Sequence, residues 1–444
     1  MSSVCFRRAA HWRKVFLILA LATPLLGASP APGPVTLEQA LSEARASNAK
    51  LPIPALDVAI AREKLNEATA ERWLKVAVEG DFIYAPPSGY DPVVTNAGEF
   101  RLQAVGRQPL YDGGARRAAV ARAEAGVDAA AGRYRIEEKD LILEVTSRYA
   151  ESLAEMEEAS ARRSAISRLE SYRTNLKSRQ ASGQAVAADL IKTEVRLASE
   201  EANILEAERR ADEARMTLAA LMGRAPADPL ALAPAPDPDL AAPSEPADWD
   251  SAPEVAAAAA EARAADAGLA GARAEWRPPL ALSADVGFWG SDTSRWIPAD
   301  LKAMDPNANF ADRVRRDAGY SFALTFSWPI FDLGAIRARV AQADLELQQA
   351  KQKIVAARSD ARANGEKARA AATSLAREIA LLRKAVPAAR DAYLDAESRY
   401  RGGAGTALEV LDAYSSAVDA TVRLSDAILR YRIARALAVR WGQP

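Results

Sequence analysis

The sequence predicts a mainly α-helical chain with a small β part, built as an internal two-fold repeat, on three observations. Residues 109–121 and 329–341 are one element written twice: Pro109, Leu110, Tyr111, Asp112, Gly114, Ala115, Arg117, Val120 and Ala121 recur as Pro329, Ile330, Phe331, Asp332, Gly334, Ala335, Arg337, Val340 and Ala341. The offset is 220 in every pair, and it persists where Ser178, Arg179, Gly183, Asp189 and Leu190 meet Ser398, Arg399, Gly403, Glu409 and Val410. A constant offset without gaps marks two copies of one structural unit. Next, Val340, Leu347, Ile354, Ala361, Ala368, Leu375 and Leu382 recur every seven residues, the seam of a coiled coil. Finally, two stretches in each copy alternate apolar with polar residues, the period of a half-buried strand.

Taken in order, residues 1–28 read as a secretory signal. Arg7, Arg8, Arg13 and Lys14 precede an apolar run from Val15 to Leu26 that is too short to span a bilayer, and Gly27-Ala28-Ser29 supplies a small-residue exit. The chain has one cysteine and one histidine, Cys5 and His11, both inside that segment. The mature protein is therefore expected to lack disulfides, thiolate or histidine catalysis and every metal site that needs His or Cys ligands. Lysine and arginine number 58 against 59 acids, interleaved along the chain, so a nucleic-acid partner is not expected. Beyond the signal, no run of about 20 apolar residues offers a transmembrane helix.

The first copy, 29–222, opens on a helix at Thr36-Leu37-Glu38-Gln39-Ala40-Leu41, where a hydroxyl N-cap precedes apolar residues spaced by four. Leu51-Pro52-Ile53-Pro54 interrupts it before the helix resumes to Trp73. Strands follow at 76–84 and 99–109, then a long helix over 114–181, a hairpin at Ser182-Gly183 and a helix over 187–221. The long helix contains no proline, and its 68 residues would reach about 100 Å. A Pro-, Ala- and Asp-rich linker at 223–250 separates the copies. The second copy, 251–444, repeats the order: a helix from Pro253 to Trp276, strands at 280–289 and 319–329, a long helix over 333–401, the turn Gly402-Gly403-Ala404-Gly405, and a helix over 406–441. Its opening helix aligns at an offset of 204, so sixteen residues are inserted before Pro329, absorbed by the polar loops Ala85–Gly98 and Gly290–Gly319.

The strands are long enough to cross a bilayer at a tilt, although the alternation would also suit a soluble hairpin lying on a helical core. If embedded in lipid, four strands cannot close a barrel, and open edges there would leave backbone groups unsatisfied. Several chains must then share one barrel, and two, three or four copies would give eight, twelve or sixteen strands. Trp328, Tyr320, Phe100 and Tyr84 stand near strand ends as candidates for an aromatic girdle.

The Thr36–Leu41 opening, the paired Pro-aromatic-Asp-x-Gly junctions, the glycine hairpins and the run Glu409-Val410-Leu411-Asp412-Ala413 together resemble the TolC-type outer-membrane efflux proteins over nearly all of the mature chain. The resemblance implies a trimer: a long α-helical coiled-coil barrel crossing the periplasm, plus a transmembrane β-barrel to which each chain contributes four strands. It also implies function as the exit duct of a tripartite efflux or type I secretion system, docked to a periplasmic adaptor and an inner-membrane transporter. Two departures stand out. Trp73-Leu74-Lys75 replaces the usual proline before the first strand, and Gly405 stands where an arginine is often found.

Candidate functional residues gather at the turns. Glu409 and Asp412 are three apart at the start of a helix, so they share a face; by symmetry they would form two carboxylate rings at the periplasmic mouth, with Asp189 adding a third. The alternative is a solvated helix start favoured by the helix dipole. By resemblance, Tyr400 and Asp189 match positions that help hold the closed tip. Gly183, Gly402, Gly403 and Gly405 are assigned to adaptor-contact hairpins; no Lys-Ser/Thr follows the glycine run, which argues against a phosphate cradle. Pro109, Asp112, Gly114, Pro329, Asp332 and Gly334 mark the strand-to-helix junctions, with both aspartates expected as N-caps. No cofactor is implied. A secreted structural coiled coil or a periplasmic adaptor would explain the heptads but not two symmetric alternating hairpins, and an enzyme lacks any convergent nucleophile, base or cofactor motif.

Overall fold

The computed structural model describes residues 33–84, 98–183, 185–240, 248–293 and 295–441; the signal segment and nearly all of the loop 85–98 lie outside them. α1 (Leu37–Ser47) starts at Thr36, which forms a capping box with Gln39, and α2 (Pro52–Ala70) carries proline in its first turn. β1 (Lys75–Ile83) and β2 (Glu99–Tyr111) lead into α3 (Ala115–Ala181) and α4 (Ala187–Leu221). One 3-10 turn at Trp249–Ser251 precedes α5 (Pro253–Ala274). β3 (Leu280–Ser291), α6 (Ala299–Met304), α7 (Phe310–Asp317), β4 (Ala318–Phe326), α8 (Ala335–Arg401) and α9 (Ala407–Trp441) complete the second copy. The repeat is quantitative: α3 and α8 each have 67 residues, and α4 and α9 each have 35. At 1.5 Å per residue the long pair spans about 100 Å.

The four strands form one antiparallel sheet in the order β1-β2-β3-β4, so the two copies join at β2–β3. Paired residues share a face, and the register separates the faces by chemistry. Val76, Val78, Phe82, Phe100, Leu102, Val286, Phe288, Tyr320 and Phe322 lie on one side; Glu79, Asp81, Arg101, Gln103, Arg107, Asp285 and Ser321 lie on the other. On the polar side the charges are paired, Arg101 with Asp81 and Arg107 with Glu79, while the Ser321 hydroxyl donates to Asp285.

Several expected boundaries shift, each for a local reason. β2 runs on to Tyr111 because the register slips between Pro109 and Tyr111, and a bulge there accommodates the missing proline N–H. β4 ends at Phe326 instead of 329, since Trp328 turns aside to donate its indole N–H to the Trp276 carbonyl at 3.2 Å. The stretch 290–319 is not a plain polar loop: β3 extends to Ser291, and α6 and α7 follow, the second started by an Asn309–Asp312 capping box. The N-caps of α3 and α8 are Gly114 and Gly334, not the aspartates. Asp112 and Asp332 nevertheless do the capping from two residues earlier. Asp112 accepts from the N–H of Gly114 (3.0 Å) and Arg116 (2.8 Å), and Asp332 from those of Gly334 (3.0 Å) and Ile336 (2.7 Å). The girdle candidates separate, with Tyr84, Phe100 and Tyr320 toward the loop end of the sheet and Trp328 beyond the helical end.

The seven seam residues of α8 all turn inward, with Leu347, Ala361 and Ala368 buried. A second row interleaves with them, through Ile336, Ala343 and Ala350 and then Gly365, Ala372 and Ile379. Inward residues step by four and three until Ala357, Ala361 and Gly365, where two steps of four come in succession. That is a stutter, which locally unwinds a supercoil. Trp249 of the linker packs at this point: a Cβ added to Gly365 would lie 2.1 Å from its ring. Arg358 pairs with the neighbouring Asp250 and ties the same turn to α8. Elsewhere the linker is held by the Tyr149 hydroxyl, which donates to the Ala233 carbonyl at 2.8 Å.

Gly365→Ala should therefore cost about 1–3 kcal/mol of stability by overpacking. In a Trp249→Ala background the sign should reverse, because alanine is the better helix former by about 1 kcal/mol. Helical circular dichroism on denaturation checks both, and equal penalties in the two backgrounds would contradict the packing.

Candidate gate at the helical tip

The tip is made where α3 hands over to α4 and α8 to α9. Both turns need a left-handed residue, supplied at equivalent positions by Gly183 (φ 73°) and Gly403 (φ 76°). Gly402 and Gly405 complete the second turn in ordinary conformations; a Cβ on Gly405 would lie 3.1 Å from the Tyr400 nitrogen.

Between the turns lies a tyrosine core. Tyr172 meets Tyr400 edge-on with ring centroids 5.3 Å apart, and Tyr393 meets Tyr414 likewise at 6.0 Å. Arg179, in the last turn of α3, crosses to the other copy. Its guanidinium lies 4.8 Å from the Tyr400 ring centre and donates to the Tyr400 carbonyl at 2.5 Å. That position suits a cation at the C-terminal end of a helix, and its face contact with the ring adds cation–π attraction. Higher up, Glu200 is buried and bonded by Arg162 (2.8 Å) and Arg196 (3.0 Å), and Arg196 lies 5.7 Å from the Tyr414 ring. This network clamps α3, α4 and α9 together.

The structure brings Tyr400 into this core and leaves Asp189 half-buried beside it. It does not bring Glu409 and Asp412 there: both are exposed on the first turns of α9, and neither makes an ion pair among the described residues. The backbone N–H of Glu409 donates to the Thr406 hydroxyl at 3.3 Å. Sequence reasoning missed Tyr172, Tyr393, Tyr414 and the Arg162–Glu200–Arg196 network. Extending the α8 seam beyond Leu382 in steps of four and three would have reached Tyr393 and Tyr400. The junction residues Pro109, Asp112, Gly114, Pro329, Asp332 and Gly334 lie at the far end of the long helices, where sheet becomes bundle.

A four-stranded sheet with one apolar face, set on helices about 100 Å long with paired hairpin tips, defines a class of architecture: a small sheet suited to a bilayer, carried on a long helical shaft. Residues 40–224 and 250–440 match the family described as "Outer membrane efflux protein", one match per copy. The chain belongs to that family, and with it to the outer membrane. It is 27% identical over 307 residues to the pyoverdine export outer membrane protein OpmQ of Pseudomonas aeruginosa, a match covering 67% of this chain and 59% of that relative's length. Its fold is similar to that of the outer-membrane channel OprN (TM-score 0.79, 20% identity, 91% of this chain and 89% of that one). CusC is similar at TM-score 0.80 and 19% identity, with 92% of each chain covered. VceC of Vibrio cholerae is similar at TM-score 0.77 and 19% identity, covering 91% of this chain and 95% of that one.

Burial raises the phenol pKa of Tyr172, Tyr393 and Tyr414, and that of Tyr393 reaches about 12 from an ordinary 10.0. The hydroxyls of Tyr393 and Tyr414 have no hydrogen-bond partner among the described residues. A pKa raised on folding favours the native state below the unfolded pKa, and the contribution is lost as pH rises through the folded one. The tip should accordingly loosen between pH 10 and about 12, and Tyr393→Phe should move the onset upward. Tyrosinate absorbance followed together with channel conductance checks this; an unchanged onset would remove Tyr393 from the clamp.

Proposed function

We propose that three copies of this chain close a twelve-stranded barrel and continue it into a helical tunnel, the passive exit duct of a tripartite efflux or type I secretion assembly. The sheet carries this reading. Among the described residues its order leaves one edge of β1 and one of β4 without partners, and three chains of four strands would pair every edge. Away from its loop end the apolar face is uncovered, with Val78, Tyr320, Phe322 and Phe326 each 73–74% exposed, which suits hydrocarbon and not water. Its polar face would then line an aqueous lumen. Apolar side chains also face outward from the helices flanking α3, Ile53, Leu56 and Ile60 on α2 and Ile191, Val195 and Leu205 on α4, and neighbouring subunits would cover them. A free-standing coiled coil or an adaptor leaves all of this surface in water.

In this reading Gly183, Gly402, Gly403 and Gly405 shape the hairpins that meet a periplasmic adaptor, which links the duct to an inner-membrane transporter. The name of OpmQ speaks of pyoverdine export; here the choice of cargo is assigned to the inner-membrane partner. Glu409 and Asp412, repeated by threefold symmetry, would ring the mouth with carboxylates that favour cations, while Arg179, Tyr400 and Asp189 hold the neighbouring hairpins together.

Phe322→Arg, in the middle of β4 on the apolar face, should cost about 2–4 kcal/mol and lower the yield of heat-modifiable trimer in the outer-membrane fraction. Ser321→Arg, one residue away on the polar face, should leave assembly intact, and equal tolerance of both would refute the barrel. Replacing Glu409 and Asp412 by alanine should raise single-channel conductance in planar bilayers and weaken block by multivalent cations. Unchanged channel behaviour would remove the gate assignment from these acids.

A further inference from the structure

The β3–β4 connection carries structure that a duct alone does not require. α7 and the segment around Arg295 and Trp296 lie over the loop end of the apolar sheet face and line a half-open cavity of about 540 Å³. Its floor is Phe82, Phe100, Leu102 and Phe288; its roof is Trp296, Phe310 and Val314, and Asp317, held by Arg313 and Arg316, lines it as well. The volume lies within the range of sites that bury small ligands, roughly 300–1,000 Å³. The roof is fixed in advance. Arg313, only 7% exposed, donates to the carbonyls of Ser291 (3.1 Å), Asp292 (3.3 Å), Arg295 (2.5 Å) and Trp296 (3.1 Å), pairs with Asp317 at 3.2 Å, and lies 5.1 Å from the Phe100 ring centre. Its donors are spent on the roof. Arg295 is different: it lines the cavity and is exposed, with no ion pair among the described residues.

The floor is continuous with the stripe that runs down the sheet through Val78, Val286 and Phe322. With the barrel placed as proposed above, on which this inference rests, that stripe faces hydrocarbon and the cavity sits at the outer leaflet. A ligand entering along it must be apolar in its chain, and the cation at the mouth selects an anionic head. The outer leaflet of such a membrane offers that combination as phosphorylated glycolipid. We propose that the cavity holds one acyl chain of an outer-leaflet phosphorylated glycolipid, with Arg295 meeting its phosphate. Exposed Trp296, stacked edge-on with Phe310 at 6.0 Å, would sit at the chain's point of entry.

The test uses the full-length protein in phosphatidylcholine vesicles containing a phosphorylated glycolipid, with bromine on the acyl chains of one lipid or the other. Trp296 emission is taken as the difference between the wild type and Trp296→Phe. Brominated glycolipid should quench it roughly two- to fivefold more than an equal amount of brominated phosphatidylcholine, the worth of one exposed charge pair. Arg295→Ala should abolish that preference. The Phe322→Trp variant, reporting on the stripe itself, should be quenched by both lipids alike. A responsive Phe322→Trp with no preference at Trp296 overturns the lipid site and leaves the barrel standing. Absence of quenching at both positions defeats the barrel reading. If added inorganic phosphate erases the preference, Arg295 answers to free phosphate and the lipid assignment fails.

Discussion

Backbone hydrogen bonding at the two outer strands governs the rest of this molecule. Among the described residues β1 and β4 each pair on one side only, and in hydrocarbon an unsatisfied N–H or C=O costs several kcal/mol. No rearrangement within one chain removes both edges, because the two hairpins already pair with each other through β2 and β3. Association of identical chains, as proposed above, would satisfy both edges, and it would dictate the placement of both sheet faces. A closed wall would have an inside, the inside would receive the polar face, and the pairing of Arg101 with Asp81 and Arg107 with Glu79 would keep that face from presenting bare charge to a solute.

The helical part obeys a different rule. Its interior is filled largely by alanine, which lets long helices approach closely, and larger side chains collect where rigidity is needed: at the linker attachment and at the tip. Buried charge is used sparingly and always in company. Arg440 reaches Asp140 on α3 and Glu254 on α5, and Glu200 is shared by two arginines. Such groups add little net stability over an apolar core but penalise misaligned packing, because a displaced partner leaves a charge stranded. At the tip the two copies diverge. Arg179 crosses to Tyr400, whereas its equivalent, Arg399, turns back to Asp395 on its own helix.

Most of this was legible in the residues because it is periodic. The constant offset exposed the duplication, the seven-residue recurrence gave the seam, and the alternation placed all four strands within three residues of their observed ends. What escaped was aperiodic or distant. α7 is eight residues long, too short for a period to register, and only the Asn309–Asp312 capping box announces it. Pro109 reads as a strand terminator, yet a bulge carries β2 past it. The contact between Arg179 and Tyr400 spans 221 residues of sequence, and no local pattern could reveal it. The spacing of Glu409 and Asp412 puts them on one face, and both do face solvent, but the buried partners that stiffen the hairpins were invisible without the packing of four helices.

The matched lengths of the two descending and two returning helices carry a consequence for how such a molecule can change over generations. Deleting one residue from α3 alone would shorten it by 1.5 Å and rotate everything beyond by about 100°. Its hairpin would then fall out of step with the one on α8, 67 residues long like its counterpart. The gauge can be reset only by concerted edits to all four segments, in steps that preserve the seam. Substitutions can therefore accumulate freely along the outside of the shaft while its reach stays frozen.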